Sequence, residues 1–235
     1  MEKAFKFRIY PNKTQEKLIQ KTFGCVRFVF NYFLQRRIDA YRENKETINY
    51  NKCSSELTVL KKKLEWLQEP DKCSLQNAIR NLDTAYKNLF AHRARFPRFK
   101  SKKKRHNSYR TNANIKVLEK HIQLPKLGKV KFRDNQTIQG RILNATVSQD
   151  ADGRYFVSVC CTDVEINEFE KTNKVVGIDL GLKEFAIVSD GSKYENPRFL
   201  KKSLKRLAFL QKALSRKSTK SANREKARIK VAKCY

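Results

Sequence analysis

The chain begins with a segment in which apolar and mostly basic residues alternate. In Lys3–Tyr10, KAFKFRIY, Phe5, Phe7 and Ile9 are apolar and most of the positions between them are basic. Neighbouring residues of a strand point to opposite faces, so this alternation predicts a β-strand with one apolar and one mostly basic face. Asn12 followed by Gln15 has the spacing of a helical capping box. A helix is therefore predicted to begin directly after the strand.

Apolar residues then recur at the spacing of an α-helix in three stretches. The first contains Ile19–Ile38, and the others are Ser55–Leu67 and Ser74–Phe90. The polar segment Asn44–Asn51 and the helix-breaking Pro70 separate them. The pattern predicts a block of three helices, and it favours apolar stripes that form a core over stripes that form a binding site.

Short strands dominate the region from Asn114 to Cys161. Apolar and polar residues alternate in 115–118, 121–124 and 129–133, and two longer runs are joined by Gln149–Gly153. The pattern predicts an antiparallel barrel or sheet.

The segment Val175–Gly191 combines two strand signals with an acid. Its first residues, VVGI, have the length and β-branched content of a buried strand, and Asp179 follows them directly. Phe185–Val188 predicts a second strand, so the segment is predicted to form a β-hairpin with Asp179 at the centre of a sheet. A buried carboxylate is costly unless it is paired, hydrogen-bonded or bound to a cation, and a divalent metal such as magnesium is one natural partner. The alternative is that Asp179 caps a turn by accepting hydrogen bonds from nearby amides.

The charge of the chain points to a polyanionic partner. The 235 residues include 53 Lys and Arg against 23 Asp and Glu, a formal net charge of +30. Such a charge destabilises a compact monomer by self-repulsion, and nucleic acid is the natural partner that would neutralise it. A membrane is the weaker alternative, because no apolar run approaches the roughly 20 residues that span a bilayer. With no signal peptide and no CxxC pair among the six cysteines, we predict an intracellular protein without a zinc site or a disulfide framework.

Basic residues are most concentrated in Arg98–Arg105, RFKSKKKR, where six of the eight residues are Lys or Arg. Phe99 lies within this run and Phe96 and Tyr109 lie on either side of it, so side chains that contact phosphates are close to rings that stack on unpaired bases. The alternative is a solvated basic loop. The candidate nucleic-acid-binding residues are Arg98, Lys100, Lys102, Lys103, Lys104, Arg105, Tyr109 and Arg110.

Several of these strings resemble one protein family. GIDLG at 177–181, together with Phe185–Gly191, is similar to the first RuvC motif of the TnpB family of transposon-encoded nucleases. Phe28–Arg37, FVFNYFLQRR, resembles the recognition lobe of that family, and the FPRFKSKKKRHNSYR string resembles its junction with the wedge domain.

The resemblance implies an α+β fold built from three parts. Residues 1–10 and 106–165 would form the wedge, an oligonucleotide-binding-like β-barrel. Residues 11–105 would form an inserted α-helical recognition lobe that ends in a basic loop. Residues 171–235 would form the start of a ribonuclease H-like (RuvC) α/β domain.

The resemblance also implies an activity, guide-RNA-directed and magnesium-dependent cleavage of DNA linked to transposition. It assigns Asp179 as a catalytic residue and magnesium ligand, and it names DNA and guide RNA as partners. The expected location is the cytoplasm of a bacterium, in association with the nucleoid.

Later motifs of the family have no counterpart in this sequence: a Glu, a late Asp and a four-Cys zinc ribbon. We therefore expect a truncated copy or the first part of a split reading frame, which cannot cleave alone and whose partner is a full-length copy or a downstream fragment. One alternative is an RNA- or DNA-binding remnant that regulates a full-length copy. Another is a fragment of an actin-like ATPase, a family that shares GIDLG but usually has a hydroxyl residue where Leu182 and Lys183 stand.

Overall fold

The structure is a computed structural model, and it describes residues 1–102, 107–133, 136–165, 172 and 174–234. The chain folds into two compact units, Met1–Glu165 and Ile166–Tyr235. We refer to them as the N-terminal and C-terminal units. None of the helices in the described ranges combines the length and the apolar composition needed to cross a membrane.

The helices of the N-terminal unit are α1 (Lys13–Asn44), α2 (Tyr50–Lys63) and α3 (Lys72–Phe90), with a short 3-10 turn at Glu65–Gln68. The predicted capping box is confirmed. The Asn12 side chain accepts a hydrogen bond from the Gln15 amide at 2.8 Å, and the Gln15 side chain accepts one from the Asn12 amide at 3.0 Å. Helix α2 begins earlier than predicted because Asn49, inside the polar segment, caps it by accepting from the Lys52 amide at 3.0 Å.

The strands of this unit are β1 (Lys3–Tyr10), β2 (Asn107–Thr111), β3 (Lys116–Val117), β4 (His121–Leu124), β5 (Gly128–Phe132), β6 (Arg141–Gln149) and β7 (Tyr155–Thr162). They form one antiparallel sheet in the order β2-β6-β7-β1-β5-β4-β3. The opening strand is confirmed and is central, because Phe7 pairs with Val157 of β7 and Ile9 with Phe132 of β5.

The helices cover one face of this sheet. Phe5, Phe7 and Ile9 point into the core with the alternate residues of β7, and the opposite positions of β1 face outward. Asn77 of α3 donates to the Arg110 carbonyl of β2 at 2.9 Å, which ties the two layers together. The prediction of a β-barrel is wrong for the described residues, because the edge strands β2 and β3 do not pair and the sheet stays open. The helical layer buries the apolar face that closure would have enclosed.

The C-terminal unit contains β8 (Ile178–Asp179), β9 (Glu184–Val188), β10 (Lys193–Glu195), α4 (Phe199–Ser215) and α5 (Ala222–Ala232). Its strands form an antiparallel sheet in the order β10-β9-β8. The predicted hairpin is confirmed, since Ile178 pairs with Val188 and Asp179 with Ile187. A tight turn joins β9 to β10, with Gly191 at a φ of +88° that favours glycine.

Candidate functional site

Part of the basic segment borders a cavity in the N-terminal unit. Arg98–Ser101 lies beside α1 and β2, and together these elements surround a cavity of about 240 Å³. Phe23, Val26 and Arg27 contribute from α1, and Asn107 and Ser108 contribute from β2. Among the described residues, the lining therefore contains the cationic side chains of Arg27, Arg98 and Lys100, the rings of Phe23 and Phe99, and no carboxylate. A cavity of this composition attracts anionic ligands that also carry a flat apolar group.

Helix α1 fixes the position of the segment at Lys100. The Asn31 side-chain amide donates to the Lys100 carbonyl at 2.9 Å, and the Lys100 backbone amide donates to Asn31 Oδ1 at 2.8 Å. The Lys100 ammonium lies 4.1 Å from the centroid of the Phe30 ring. Although Lys100 as a whole is exposed, desolvation of its ammonium lowers the pKa of Lys100.

Not every candidate residue of the basic region is available to a ligand. Arg98, Lys102 and Arg110 are exposed, whereas Lys103, Lys104 and Arg105 lie outside the described residues. Tyr109 is only 6% exposed, and its ring packs 5.8 Å from that of Phe23. Burial raises the pKa of Tyr109. The ring expected to stack on bases thus belongs to the core in this structure, and we do not retain Tyr109 as a binding residue.

The outward face of the sheet is a second cationic surface. The sequence pattern did not predict that residues from several strands would form it. Cross-strand pairing places Arg8 of β1 beside Phe156 of β7, and Tyr10 beside Lys131 of β5. The Lys6 ammonium lies 4.5 Å from the centroid of the Phe156 ring. The alternation in β1 predicted one mostly basic face, but only the register adds the cations and rings of neighbouring strands.

The acidic residue singled out in the sequence has a different setting from the one predicted. Asp179 is exposed and lies on β8, the edge strand of its sheet. The apolar residues before it are also exposed, with Val175 at 97% and Ile178 at 60%. The prediction of a buried carboxylate at the centre of a sheet is therefore wrong for this chain. Local backbone bonds hold the hairpin instead: the Ser189 amide donates to the Gly177 carbonyl at 2.9 Å.

Among the described residues there is no group of three or more His, Cys, Asp or Glu side chains that could hold a metal ion. Magnesium is usually held by one or two carboxylates together with oxygens of water and substrate. Asp179 offers one exposed carboxylate.

Two family models match the chain. Residues 1–46 match a model described as a helix-turn-helix domain, and residues 158–235 match a model described as "Probable transposase". In the structure, residues 1–46 contain strand β1 and the single uninterrupted helix α1 rather than two helices joined by a turn. The description of the first model thus does not fit the conformation of these residues.

Two curated bacterial relatives align with nearly the whole chain. A "Putative RNA-guided DNA endonuclease" of Streptomyces pristinaespiralis is 36% identical over 100% of this chain and 60% of its own length. The "Putative RNA-guided DNA endonuclease InsQ" of Escherichia coli (strain K12) is 34% identical over 99% of this chain and 58% of its own length. The chain therefore spans about 60% of the length of these relatives.

Among solved structures, the chain is similar to one from the cryo-EM structure of a Cas12f1–sgRNA–target DNA complex. That match has 12% sequence identity and a TM-score of 0.40, and it covers 92% of this chain and 62% of the other. The assignment to a family rests on the sequence matches. The second model covers the GIDLG segment, the first covers the beginning of the chain, and the two relatives align with nearly all of it. The chain belongs to the TnpB (IS605 OrfB) family.

Proposed function

We propose that this chain is a nucleic-acid-binding protein of the TnpB type and that Arg98–Lys102, with the cavity beside it, contacts the bound strand. The observation that carries the proposal is the lining of the cavity, whose described residues combine three cationic side chains and two aromatic rings without a carboxylate. Each phosphate neutralised by Lys or Arg releases condensed counterions, so such a surface favours RNA and DNA over neutral ligands.

The rest of the charge distribution supports the same function. The chain carries a net charge of +30, and cations and rings lie side by side on the outward face of the sheet. We propose that this face adds contacts to the backbone of the same polyanion. The partners that we propose are guide RNA and target DNA, in keeping with the names of the two relatives.

We further propose that the chain serves guide-RNA-directed, magnesium-dependent DNA cleavage linked to transposition, with residues 171–235 forming part of a ribonuclease H-like RuvC domain. We propose that 1–10 and 106–165 act as the wedge and 11–105 as the recognition lobe. In this scheme Asp179 supplies one carboxylate, and further carboxylates from outside this sequence are needed to hold magnesium. The metal, when bound, would activate water and stabilise the leaving oxygen.

It follows from this proposal that the chain binds without cutting. One carboxylate is too few for metal-dependent phosphodiester cleavage, since several must converge on the metal ions. Asp179 also lies away from the basic segment in sequence and on the other compact unit. Binding and cleavage should therefore separate in experiment.

The test combines a binding titration with a cleavage assay on the wild-type chain and Asp179→Ala. Both proteins should bind single-stranded RNA with equal affinity, and neither should cut DNA in the presence of magnesium and RNA. Robust cleavage that depends on Asp179 would contradict the claim that this chain binds without cutting. Failure of the wild-type chain to bind RNA and DNA would contradict the binding function itself.

A further inference from the structure

We propose that the cavity between α1, Arg98–Ser101 and β2 holds a single unpaired nucleotide of the bound strand, with its base against the ring of Phe99. This proposal rests on the proposed nucleic-acid binding and specifies one contact within it. The cavity requires a base that is free of both its pairing partner and its stacked neighbours. The ligand class is therefore an unpaired nucleotide in RNA or in DNA.

The size of the cavity agrees with one base. Its volume of about 240 Å³ is below the roughly 300–1,000 Å³ of pockets that enclose drug-sized ligands. A single planar ring system is compatible with such a volume, whereas an intact base pair with its flanking stack is too large. A duplex could therefore contact the rim only through its backbone.

The chemistry of the lining also suits a base. Phe23 and Val26 provide an apolar floor, and the ring of Phe99 is 51% exposed although it is apolar. Stacking of a base on an aromatic side chain contributes about 1–3 kcal/mol and tolerates every base, because each has a π-face. Asn107 and Ser108 supply donors and acceptors for the edge of the base.

Cations lie where the phosphate of such a nucleotide could be bound. Arg27 and Arg98 line the same cavity as Phe99, and the Arg27 guanidinium makes a long hydrogen bond of 3.4 Å to the Asn107 side chain. A long bond of this kind leaves the guanidinium free to exchange its partner for a phosphate or carbonyl oxygen. Lys100 is already partly desolvated against Phe30, so its ammonium has less water to shed when a phosphate arrives.

The segment that carries Phe99 is ordered before binding. The paired hydrogen bonds between Asn31 and Lys100 hold the backbone of the residue next to Phe99. A preorganised loop loses less conformational freedom on association, which strengthens binding without any new contact. The backbone that carries the ring is therefore held beside α1 before the strand arrives.

The first experiment replaces Phe99 and uses Phe90 as the control. Phe90 is also exposed, at 72% against 51% for Phe99, but its ring packs 6.2 Å from that of Tyr86 and it is not among the described residues that line the cavity. Phe99→Ala should weaken binding of a single-stranded oligonucleotide by about 5- to 150-fold, the loss of one stacked base. Duplex binding should not change, and Phe90→Ala should change neither affinity. Equal losses for single strand and duplex, or for the two variants, would overturn the proposal.

A second measurement reports stacking directly. In the double variant Phe99→Trp with Trp66→Phe, the introduced indole is the only tryptophan, because the natural chain has one. Its fluorescence should be quenched by single-stranded oligonucleotides and not by duplex, with RNA and DNA of the same sequence tested separately. Quenching by the RNA or by the DNA oligonucleotide supports the site and shows which nucleic acid supplies the nucleotide. Intact binding without quenching overturns the nucleotide site alone, whereas a wild-type chain that binds nothing overturns the proposed function as well.

Discussion

Asn31 and Lys100 exchange a pair of hydrogen bonds, at 2.9 and 2.8 Å, across 69 residues of sequence. The bonds join the middle of α1 to Lys100, within the described part of the basic segment. They use both polar atoms of the Asn31 side chain and both backbone groups of Lys100. The basic segment is therefore held against α1 at this point rather than solvated along its whole length.

Asn31→Ala should release this segment and weaken single-stranded RNA binding by about tenfold. Two net hydrogen bonds contribute about 1–3 kcal/mol together, and their loss adds the cost of ordering the segment to the cost of binding. The amide of Lys100 should also exchange its hydrogen faster in the variant. Gln35→Ala on the same helix is the control, because the Gln35 side chain donates to Asp39 on its own helix at 2.7 Å. Unchanged exchange at Lys100 would contradict this account.

Asp71→Ala should destabilise the N-terminal unit by about 2 kcal/mol. Asp71 caps α3 by accepting from the Ser74 amide at 3.2 Å and also accepts from the Thr111 hydroxyl of β2 at 2.7 Å. Loss of a helix cap costs about 1 kcal/mol, and a buried hydroxyl without its acceptor adds a comparable penalty. Chemical denaturation monitored by helical circular dichroism measures the change.

Asn49→Ala is the comparison for Asp71→Ala, because Asn49 also caps a helix, accepting from the Lys52 amide, and among the described residues its side chain has no hydrogen bond to the sheet. Its cost should be about 1 kcal/mol. Asp71→Asn should retain most of the stability, since the amide oxygen can still accept from Ser74 and Thr111. Equal costs for Asp71→Ala and Asn49→Ala would show that the bond to β2 contributes nothing.

The stability of the chain in alkali should depend on Cys25. Desolvation by burial, with a smaller contribution from the charge of Glu69, raises the pKa of the Cys25 thiol from its ordinary value of 9.0 to about 11. Because the pKa is higher in the folded chain, the protonated thiol stabilises the fold fully below pH 9.0, and that contribution is lost as the pH rises towards about 11. Cys25→Ala lacks this contribution at every pH.

The free energies of unfolding of the wild-type chain and Cys25→Ala should therefore converge over that pH range, by up to about 2 kcal/mol. Taking the difference between the two proteins removes the titration of all other groups. Denaturation curves measured at successive pH values give this difference. Parallel pH profiles would show that Cys25 does not titrate with a raised pKa.

The sequence identified local structure well where one signal dominated. The alternation of KAFKFRIY predicted β1 with its observed ends, and Asn12 with Gln15 predicted the start of α1, because both signals depend only on neighbouring residues. The start of α2 was missed because Asn49 lies in a polar segment whose composition resembles a loop. Tyr109 was misassigned because β2 was not recognised. Within it, the alternation of NSYRT places Tyr109 and Thr111 inward and Ser108 and Arg110 outward.

Properties that depend on distant residues could not be predicted in the same way. The closure of a barrel depends on whether its two edge strands pair. No local sequence pattern indicates whether β2 and β3, which lie at opposite edges of the sheet, would do so. The apolar run before Asp179 indicated a buried strand, but burial requires a covering layer, and in this structure the run is exposed. The cavity combines α1 with residues about 70 positions later, so it was visible only in the structure.

The most direct test of nucleic-acid binding by the basic segment is the salt dependence of RNA affinity. The triple variant Arg98→Gln, Lys100→Gln, Lys102→Gln is compared with Lys61→Gln, Lys62→Gln, Lys63→Gln, which removes the same charge from the last turn of α2. Each lost phosphate contact should reduce the slope of log affinity against log salt by about 0.7–0.9, so the first variant should lose about 2–3 and the control almost nothing. Equal slopes in the two variants would contradict the assignment of this segment as the nucleic-acid interface.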